Sequence, residues 1–306
     1  VYIGEESTWG TAVTRNRFFE AVMAGISYDQ PVVDVPVLTN AADTSFNATA
    51  VFQGLANVKG SFKVPANYSG MGMLLKHAFW RTPSTTGPSG ADYTHTFTLQ
   101  RARPTGGLTI EWVVGASGVT RVAEGCRITS MLIEGKAGEP VYFTFEFIAQ
   151  TVSAGTPTSA TYTRSLVTHL HGAPLTWNSR SPGLRAFSFK LDHGLEAQYE
   201  IGSALTLGPA PTKTTMVTAN FEIHGHDAGF VTEFLAATSS DAVVGFTSGA
   251  LTLTITGQNG YITKDPMPAT TGPGLLVTNV EMRFISDGTD DGLKIVIVNT
   301  QSSATA

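Results

Sequence analysis

The chain contains one pattern of residues twice. Residues 58–79 align without a gap with residues 217–238, so that Val58 falls on Val217. Each copy begins with apolar residues at every second position, passes through a turn that contains glycine, and ends in a short amphipathic run. This pattern predicts a β-strand, a turn and a short helix. Such a long repeat indicates a duplicated domain rather than a solenoid unit, and it suggests a subunit that fills two equivalent places in a ring.

The length of the chain agrees with two domains. At 306 residues, the expectation is about two domains of roughly 150 residues each. We predict an N-terminal contact arm over residues 1–17, a first domain over 18–151, a linker over 152–166, a second domain over 167–301 and a tail over 302–306. The linker is placed where Thr, Ser, Ala and Pro accumulate, because such composition is typical of domain boundaries.

Each half is predicted to be a small antiparallel β-structure. Runs with apolar residues at every second position alternate with turns rich in glycine, which is typical of β-sandwiches and barrels. The fold class is therefore all-β with short helices: two tandem antiparallel β-sandwich or barrel domains, each with one short α-helix. Four β-hairpins are expected: residues 19–24 with 26–35, 187–192 with 195–201, 127–134 with 141–147, and 280–284 with 293–298.

The composition excludes several classes of protein. Only 14% of the residues are charged, against about 25% in typical domains, which favours a chain that buries much of its surface in an assembly. The net charge of −5 argues against a nucleic-acid-binding protein. No apolar run reaches the roughly 20 residues of a membrane helix, and no signal peptide is visible at the start. We therefore expect a soluble protein, made in a cytoplasm, without a membrane partner.

Two His-x-His pairs and one cysteine are the candidates for chemistry. His169 with His171 and His224 with His226 each place two imidazoles on one side of a strand, where they can share a metal. Neither pair has a third ligand nearby in the sequence, so polar turn residues are the favoured interpretation. Cys126 has no partner for a disulfide within the chain and is predicted to be a small buried hydrophobic residue.

No enzymatic motif is present. The loop around Asp290 and Asp291 lacks the spacing and the terminal Glu of an EF-hand. Neither a nucleophile elbow nor a phosphate-binding glycine loop occurs in the sequence. We predict no catalytic residue, no metal and no cofactor, and a protein that is not an enzyme.

The expected hairpins carry polar residues on the face opposite their apolar side chains. The candidates, six carboxylates, three cations and one amide, are Glu134, Glu146, Lys190, Asp192, Glu196, Gln198, Glu200, Glu281, Arg283 and Lys294. One interpretation is an ordinary solvated sheet face. The other is the wetted wall of a channel, where a mild negative bias lets a polyanion slide past without sticking.

Several segments together resemble a known family. They are the opening Gly-Glu-Glu-Ser-Thr-Trp-Gly-Thr at residues 4–11, the hairpin after Phe19, the long loop at residues 37–54, the strand and helix at 58–79, and the closing hairpin. The chain resembles the tail tube proteins of long-tailed bacteriophages, and most of all the major tail subunits of non-contractile tails. The resemblance covers nearly the whole chain.

The resemblance implies a structural role in a virion tail. Hairpin strands of neighbouring subunits join into a ring, and stacked rings form the tube through which the genome leaves the capsid. Some members carry two tube domains and form three-fold rings, which suggests a homotrimeric, pseudo-hexameric ring here. The partners implied are other copies of the chain, the tape measure, terminator and distal tail proteins, and DNA as a non-specific passenger.

The resemblance also assigns contact segments. The loop at residues 37–54 matches one that reaches an adjacent ring, with candidate contact residues Asn40, Asp43, Asn47 and Phe52. The N-terminal arm, whose aromatics Tyr2 and Trp9 are expected to be exposed, also matches a contact segment.

Two alternatives remain open. A distal or other minor tail protein would reuse the same fold, and copy number in the virion separates it from a major subunit. A carbohydrate-binding or hydrolytic β-sandwich would use Trp80, Trp112 and Trp177 as an exposed sugar platform, whereas buried core positions are the simpler interpretation of these tryptophans.

Overall fold

The structure is a computed structural model of the chain. It describes residues 1–35, 50–100, 102–114, 118–158, 164–225, 227–267, 276–288 and 291–305. Strands dominate these residues, the two α-helices are short, and every strand pairing is antiparallel. The predicted fold class, all-β with short helices, is confirmed.

The elements follow one another in a similar order in the two halves. The first half contains β1 (Tyr2–Glu6), β2 (Arg17–Phe18), β3 (Met23–Asp29), β4 (Val32–Val35), β5 (Ala50–Gln53), β6 (Asn57–Pro65), α1 (Gly72–Phe79), β7 (Ser84–Ser89), β8 (Asp92–Thr98), β9 (Gly107–Val114), β10 (Val119–Lys136), β11 (Tyr142–Ala149) and β12 (Thr151–Ala154). The second half contains β13 (Thr176–Trp177), β14 (Leu184–Asp192), β15 (Leu195–Glu196), β16 (Ala210–Pro211), β17 (Met216–His224), α2 (Ala228–Ala236), β18 (Ser240–Ser248), β19 (Leu251–Ile262), β20 (Val277–Phe284) and β21 (Leu293–Asn299).

The strand, turn and helix predicted for each copy of the repeat are confirmed. In the first copy β6 leads into α1, and in the second β17 leads into α2. The apolar residues at every second position are buried in both strands, as Phe62 and its aligned partner Phe221 illustrate. Alternate residues of a strand point to opposite faces, so this period requires that one face of each strand lies on the core.

A main sheet runs through both halves of the chain. Its strands are, in order, β3, β6, β11, the C-terminal part of β10, β14, β17, β20 and the last residues of β19. The halves meet where residues 130–136 of β10 pair with residues 186–192 of β14. We call this pairing the in-chain seam.

The two longest strands, β10 and β19, each belong to two sheets. The pairing of β10 is irregular between Ala123 and Cys126; its N-terminal part pairs with β9 and β12 and its C-terminal part with β11. In the same way, β19 pairs first with β18 and β21 and then with β20. The pairings among the described residues do not close into a cycle, so the halves are open sandwiches rather than barrels.

The halves also interlock away from the in-chain seam. Strand β8 of the first half pairs with β21 of the second, and Ala304 near the C-terminus is buried in the core beside Gly72 of α1. Buried side chains from both halves form one hydrophobic cluster. Burial of apolar surface is therefore shared across the whole chain rather than confined to two separate cores.

Three of the four expected hairpins are wrong. Strand β3 runs through Gly25 without turning and pairs with β6, β14 pairs with β10 and β17 rather than with residues 195–201, and β20 and β21 both pair with β19 instead of with each other. The closing hairpin of the first half is confirmed as β10 and β11. A period of two determines which face a strand buries but not which strand lies beside it, and this explains the errors.

The predicted domain boundaries remain predictions. Strand β12 occupies the first residues of the predicted linker. Within the predicted arm, β1 pairs with β9, Ile3 is fully buried, and Tyr2 and Trp9 are half-buried rather than exposed.

Candidate functional site

The main sheet has one apolar face and one polar face. The apolar face lies on the core and includes Phe62, Phe145, Phe189 and Phe221. The alternate residues form the opposite surface, which we call the polar face; its polar members are Ser27, Asp29, Lys59, Ser61, Lys63, Ser130, Glu134, Lys136, Tyr142, Thr144, Glu146, Ser188, Lys190, Asp192, Thr218, Asn220, Glu222, Asn279, Glu281 and Arg283.

The polar face is close to neutral. Its carboxylates are Asp29, Glu134, Glu146, Asp192, Glu222 and Glu281, and its cations are Lys59, Lys63, Lys136, Lys190 and Arg283. Six negative charges against five positive ones leave a net charge of −1, a weaker bias than the sequence predicts. A surface of this kind presents neither a cluster of cations that would hold phosphates nor a strongly repelling field.

Several charged residues on the polar face have a polar or charged partner. Ser130 Oγ donates to Glu146 Oε2 at 2.6 Å, and Lys264 Nζ lies 3.0 Å from Glu281 Oε1. Lys63 forms an ion pair with Glu134. These pairs hold the charged side chains close to the sheet. Because the pairs are partly exposed to solvent, each contributes little to stability.

Two of these carboxylates occupy equivalent places in the two halves. Glu146 lies opposite Ser61 on the neighbouring strand, and Glu281 lies opposite Asn220. Ser61 and Asn220 are aligned positions of the sequence repeat. The sheet therefore presents a carboxylate at the same place twice.

Six of the ten predicted channel residues lie on the polar face. They are Glu134, Glu146, Lys190, Asp192, Glu281 and Arg283. The other four do not: Glu196 lies on β15, Gln198 and Glu200 lie in the loop that follows, and Lys294 lies on β21 in another sheet. They were assigned to this face through hairpins that do not form. Glu196 still borders an open groove of about 890 Å³ that Lys59, Ser61 and Glu146 also line.

Sequence reasoning missed other members of this face. Lys59 and Lys63 on β6, and Glu222 on β17, lie between the buried residues of the repeated strands. The signal was present, because the apolar positions of the repeat define the opposite positions as solvent-facing.

The predicted inter-ring loop lies partly within the described residues. Strands β4 and β5 pair with each other outside the main sheet, and Phe52 on β5 is 55% exposed together with Val32 and Val51. Asn40, Asp43 and Asn47 lie outside the described residues. An exposed apolar hairpin on a single chain is typical of a contact surface.

The candidates for chemistry give no site within the described residues. His169 and His171 lie in a short 3-10 turn, where Nδ1 of His171 is 3.1 Å from the hydroxyl of Tyr68. Nowhere in the described ranges do three or more His, Cys, Asp or Glu residues lie together as metal ligands do. His226 and Asp290 lie outside these ranges.

Cys126 is fully buried, as predicted, and burial raises the pKa of its thiol well above the usual value. The thiol is therefore protonated near neutral pH and is a poor nucleophile.

The tryptophans do not form an exposed platform. Trp177 is completely buried, and Trp80 is 7% exposed. Sugar stacking requires exposed rings, so the burial of these two contradicts the carbohydrate-binding alternative in the form proposed from the sequence. In the described part of the chain, no helix combines the length and apolarity needed to cross a lipid bilayer.

Fold and surface together define a structural β-sandwich subunit. One face of its main sheet is polar and exposed to solvent, and the described residues form no catalytic or metal site. The family model for phage tail tube proteins matches residues 1–284. The chain therefore belongs to the phage tail tube protein family and is a structural component of a virion tail. No curated protein matched the chain.

Proposed function

We propose that the protein is the major tail tube subunit of a siphophage or a related prophage. Three copies form a ring of six sandwich domains, and stacked rings enclose a lumen through which phage DNA passes during ejection. The observation that carries this proposal is the main sheet, which passes from one half of the chain to the other without a break. In the proposed ring, the main sheet continues from one chain into the next in the same way.

Duplication of one domain is supported by the order of pairing. In the first half β3, β6, β11 and β10 are neighbours in that order, and in the second half β14, β17, β20 and β19 are. The bends of β10 and β19 each contain a residue with positive φ, 63° at Gly125 and 52° at Asn259. A positive φ is costly for residues other than glycine, so its occurrence at matching bends supports a common origin.

The polar face is the proposed lining of the lumen. The apolar face of the same sheet is covered by the core, and the charges of the polar face nearly balance. Such a wall offers DNA phosphates no cluster of cations to bind, so the passenger moves without being held.

The proposed partners are other copies of the chain and the proteins at the ends and centre of a tail: terminator, distal tail and tape measure proteins. DNA passes as a non-specific occupant. We propose synthesis in the cytoplasm of the host and a role that involves no cofactor and no catalysis.

Electron microscopy of the purified protein at high concentration tests this function. We expect stacked rings whose class averages have three-fold symmetry with six similar lobes. A protein that remains monomeric at every concentration contradicts the proposal. Copy number in virions separates the major subunit, present in many copies, from a distal tail protein, present in few.

A further inference from the structure

A cleft opens where the two halves of the chain meet, at one end of the in-chain seam. Its volume of about 300 Å³ is at the lower limit of the clefts that hold small ligands in proteins. The first half contributes the end of β10 and the turn that follows, and the second half contributes the start of β14 and part of β18. We call this feature the junction cleft.

The junction cleft has an apolar floor and a cationic rim. The floor is formed by Val141, Leu184, Phe187, Val244 and Phe246. The rim carries two cations, Lys136 and Arg185, against one carboxylate, Glu139. Arg185 shares its charge with Glu222, whose Oε1 lies 3.2 Å from Arg185 Nη1, whereas Lys136 is exposed. A cleft of this kind fits an apolar group that lies next to a carboxylate.

A turn near the other end of the seam carries such a group. Residues 200–203 form a β-turn in which Ser203 N donates to Glu200 O at 3.4 Å. Gly202 has a φ of 102°, as the third residue of a type II turn requires. Ile201, at the tip, is fully exposed. The segment 195–209 contains two carboxylates and no cation, so its charge is opposite to that of the cleft rim.

Hydrogen bonds hold this turn in place. Gln198 O accepts from Thr206 Oγ1 and from Leu207 N, both at 2.9 Å. Tyr199 OH donates to Ala56 O at 2.8 Å. An exposed apolar side chain on a fixed backbone loses little conformational entropy when it binds, which is typical of the anchor residues of protein interfaces.

The turn and the junction cleft lie at opposite ends of the in-chain seam. The seam runs from Ser130 opposite Asp192 to Lys136 opposite Ala186. The turn follows Asp192 in the chain, whereas Lys136 and Ala186 line the cleft. The seam is about 20 Å long, since strands rise roughly 3.3 Å per residue. In a ring around which the main sheet runs, strand ends point to the two flat sides, so turns lie on one side and clefts on the other.

On this basis we propose that Ile201 of one copy inserts into the junction cleft of a copy in the adjacent ring, with Glu200 near Lys136. The inference rests on the proposed function, and the contact involves neither the sheet edges nor the loop at residues 37–54. The occupant is a second copy because the chain itself carries, at the opposite end, the apolar side chain and the carboxylate that the cleft fits. Such a head-to-tail contact repeats along a stack without closing.

Burial of Ile201 supplies most of the affinity of this contact. The charges of Glu200 and Lys136 stay exposed, so they orient the approach of a ring and contribute little to its binding. Loss of the charge at position 200 alone is therefore compatible with assembly.

The contact is made once per chain rather than once per domain. The cleft lies at the junction of the two halves, and the turn belongs to the second half. A ring of three chains then offers three turns and three clefts to its neighbour. An incoming ring seats in only three of the six orientations that its similar domains would otherwise allow.

Cross-linking between two single variants tests the inference. Glu200→Cys, which keeps Ile201, and Ala137→Cys at the exposed rim of the cleft are mixed, assembled and treated with a short bismaleimide. We expect linked dimers from the mixture and few from either variant alone, because the two positions meet only between copies. Wild-type protein, whose Cys126 is buried, controls for background. A mixture of Glu200→Cys with Thr86→Cys on β7, which does not line the cleft, controls for random encounter.

Assembled tubes without links between positions 200 and 137, or with equal links in the Thr86 control, overturn the inference and leave the proposed function standing. Failure of all variants and of the wild type to form tubes overturns both.

Substitution of Ile201 gives a second measurement. Ile201→Asp is expected to reduce the fraction of protein in tubes at least about tenfold, because it places a charge on the apolar floor, whereas Ile201→Leu retains assembly. Ile201 is exposed in the single chain, so the unassembled Ile201→Asp protein should unfold at the same temperature as the wild type. Equal tube formation by Ile201→Asp and wild type contradicts the inference.

Discussion

At the scale of single residues, His193 links the two halves at the end of the in-chain seam. Its ring stacks on Trp80 with 3.9 Å between the centroids, and Nε2 donates to Ala78 O at 2.7 Å, at the end of α1. Its backbone N donates to Thr129 O. Burial lowers the pKa of His193 to about 4, so the imidazole is neutral in the folded protein at neutral pH.

This depressed pKa predicts a loss of stability in mild acid. An unfolded histidine takes up a proton near pH 6.5, but the folded protein resists protonation of His193 until about pH 4. The unfolded state therefore binds more protons in this window, and the free energy of unfolding falls as the pH is lowered from 6.5 to 4, by at most about 3 kcal/mol. Urea unfolding at several pH values measures this slope.

His193→Asn is the matched control, because asparagine donates a hydrogen bond but does not titrate in this range. The part of the slope due to His193 should disappear in this variant. The pKa of Glu5 is lowered to about 2, first by its hydrogen bond with His77, so its contribution is lost only below about pH 4.5. An unchanged slope between pH 6.5 and 4.5 in the variant contradicts the assignment.

At the scale of elements, the two repeated helices begin differently. Asp227 caps α2, since its Oδ1 accepts from Gly229 N at 2.8 Å, whereas Met71 at the start of α1 provides no side-chain cap. We expect Asp227→Ala to lower the free energy of unfolding by about 1 kcal/mol, because an N–H in the first turn of the helix loses its acceptor. Thermal unfolding measures the effect. Asp227→Asn keeps the cap and should retain most of the stability; equal losses in both variants would place the effect in the contact with Arg180 instead.

The elements that were predicted correctly from the sequence are those whose structure depends on local residue patterns. The strand–turn–helix units and the β10–β11 hairpin depend on local period and turns, and they were predicted correctly. The pairing of β14 with β10 joins residues that are 50 to 62 positions apart in sequence, and no local pattern encodes it. The candidate site shared this limit: residues such as Glu146 were found through the period of their strand, whereas Glu200 was assigned through a pairing that does not form.

At the scale of the whole molecule, two strand pairings couple the halves. The in-chain seam joins β10 to β14, and β8 pairs with β21. Separating the halves would expose the edges of the paired strands and the shared core. We therefore expect a single cooperative unfolding transition, although the chain has the length of two domains. Calorimetry together with two spectroscopic probes tests this. Two resolved transitions would show that the halves unfold independently.

The proposed lumen predicts an effect of charge on DNA retention. Glu146→Lys combined with Glu281→Lys changes the polar face from six carboxylates and five cations to four carboxylates and seven cations. Assembled tubes of this variant should retain DNA at low salt and release it as the salt concentration rises. Lys294→Glu with Glu200→Lys, which alters charges away from this face, should behave as wild type. Equal DNA retention by all three proteins would place the polar face outside the lumen.

The continuity of the main sheet through one chain has a kinetic consequence. In the proposed ring of six domains, alternate junctions are already made when the chain folds, because the peptide chain keeps their two sides at a high effective concentration. Only the other junctions depend on the amount of free protein. Ring formation then varies with the third power of protein concentration rather than the sixth, so a tube of this kind can begin to grow while its subunit is still scarce.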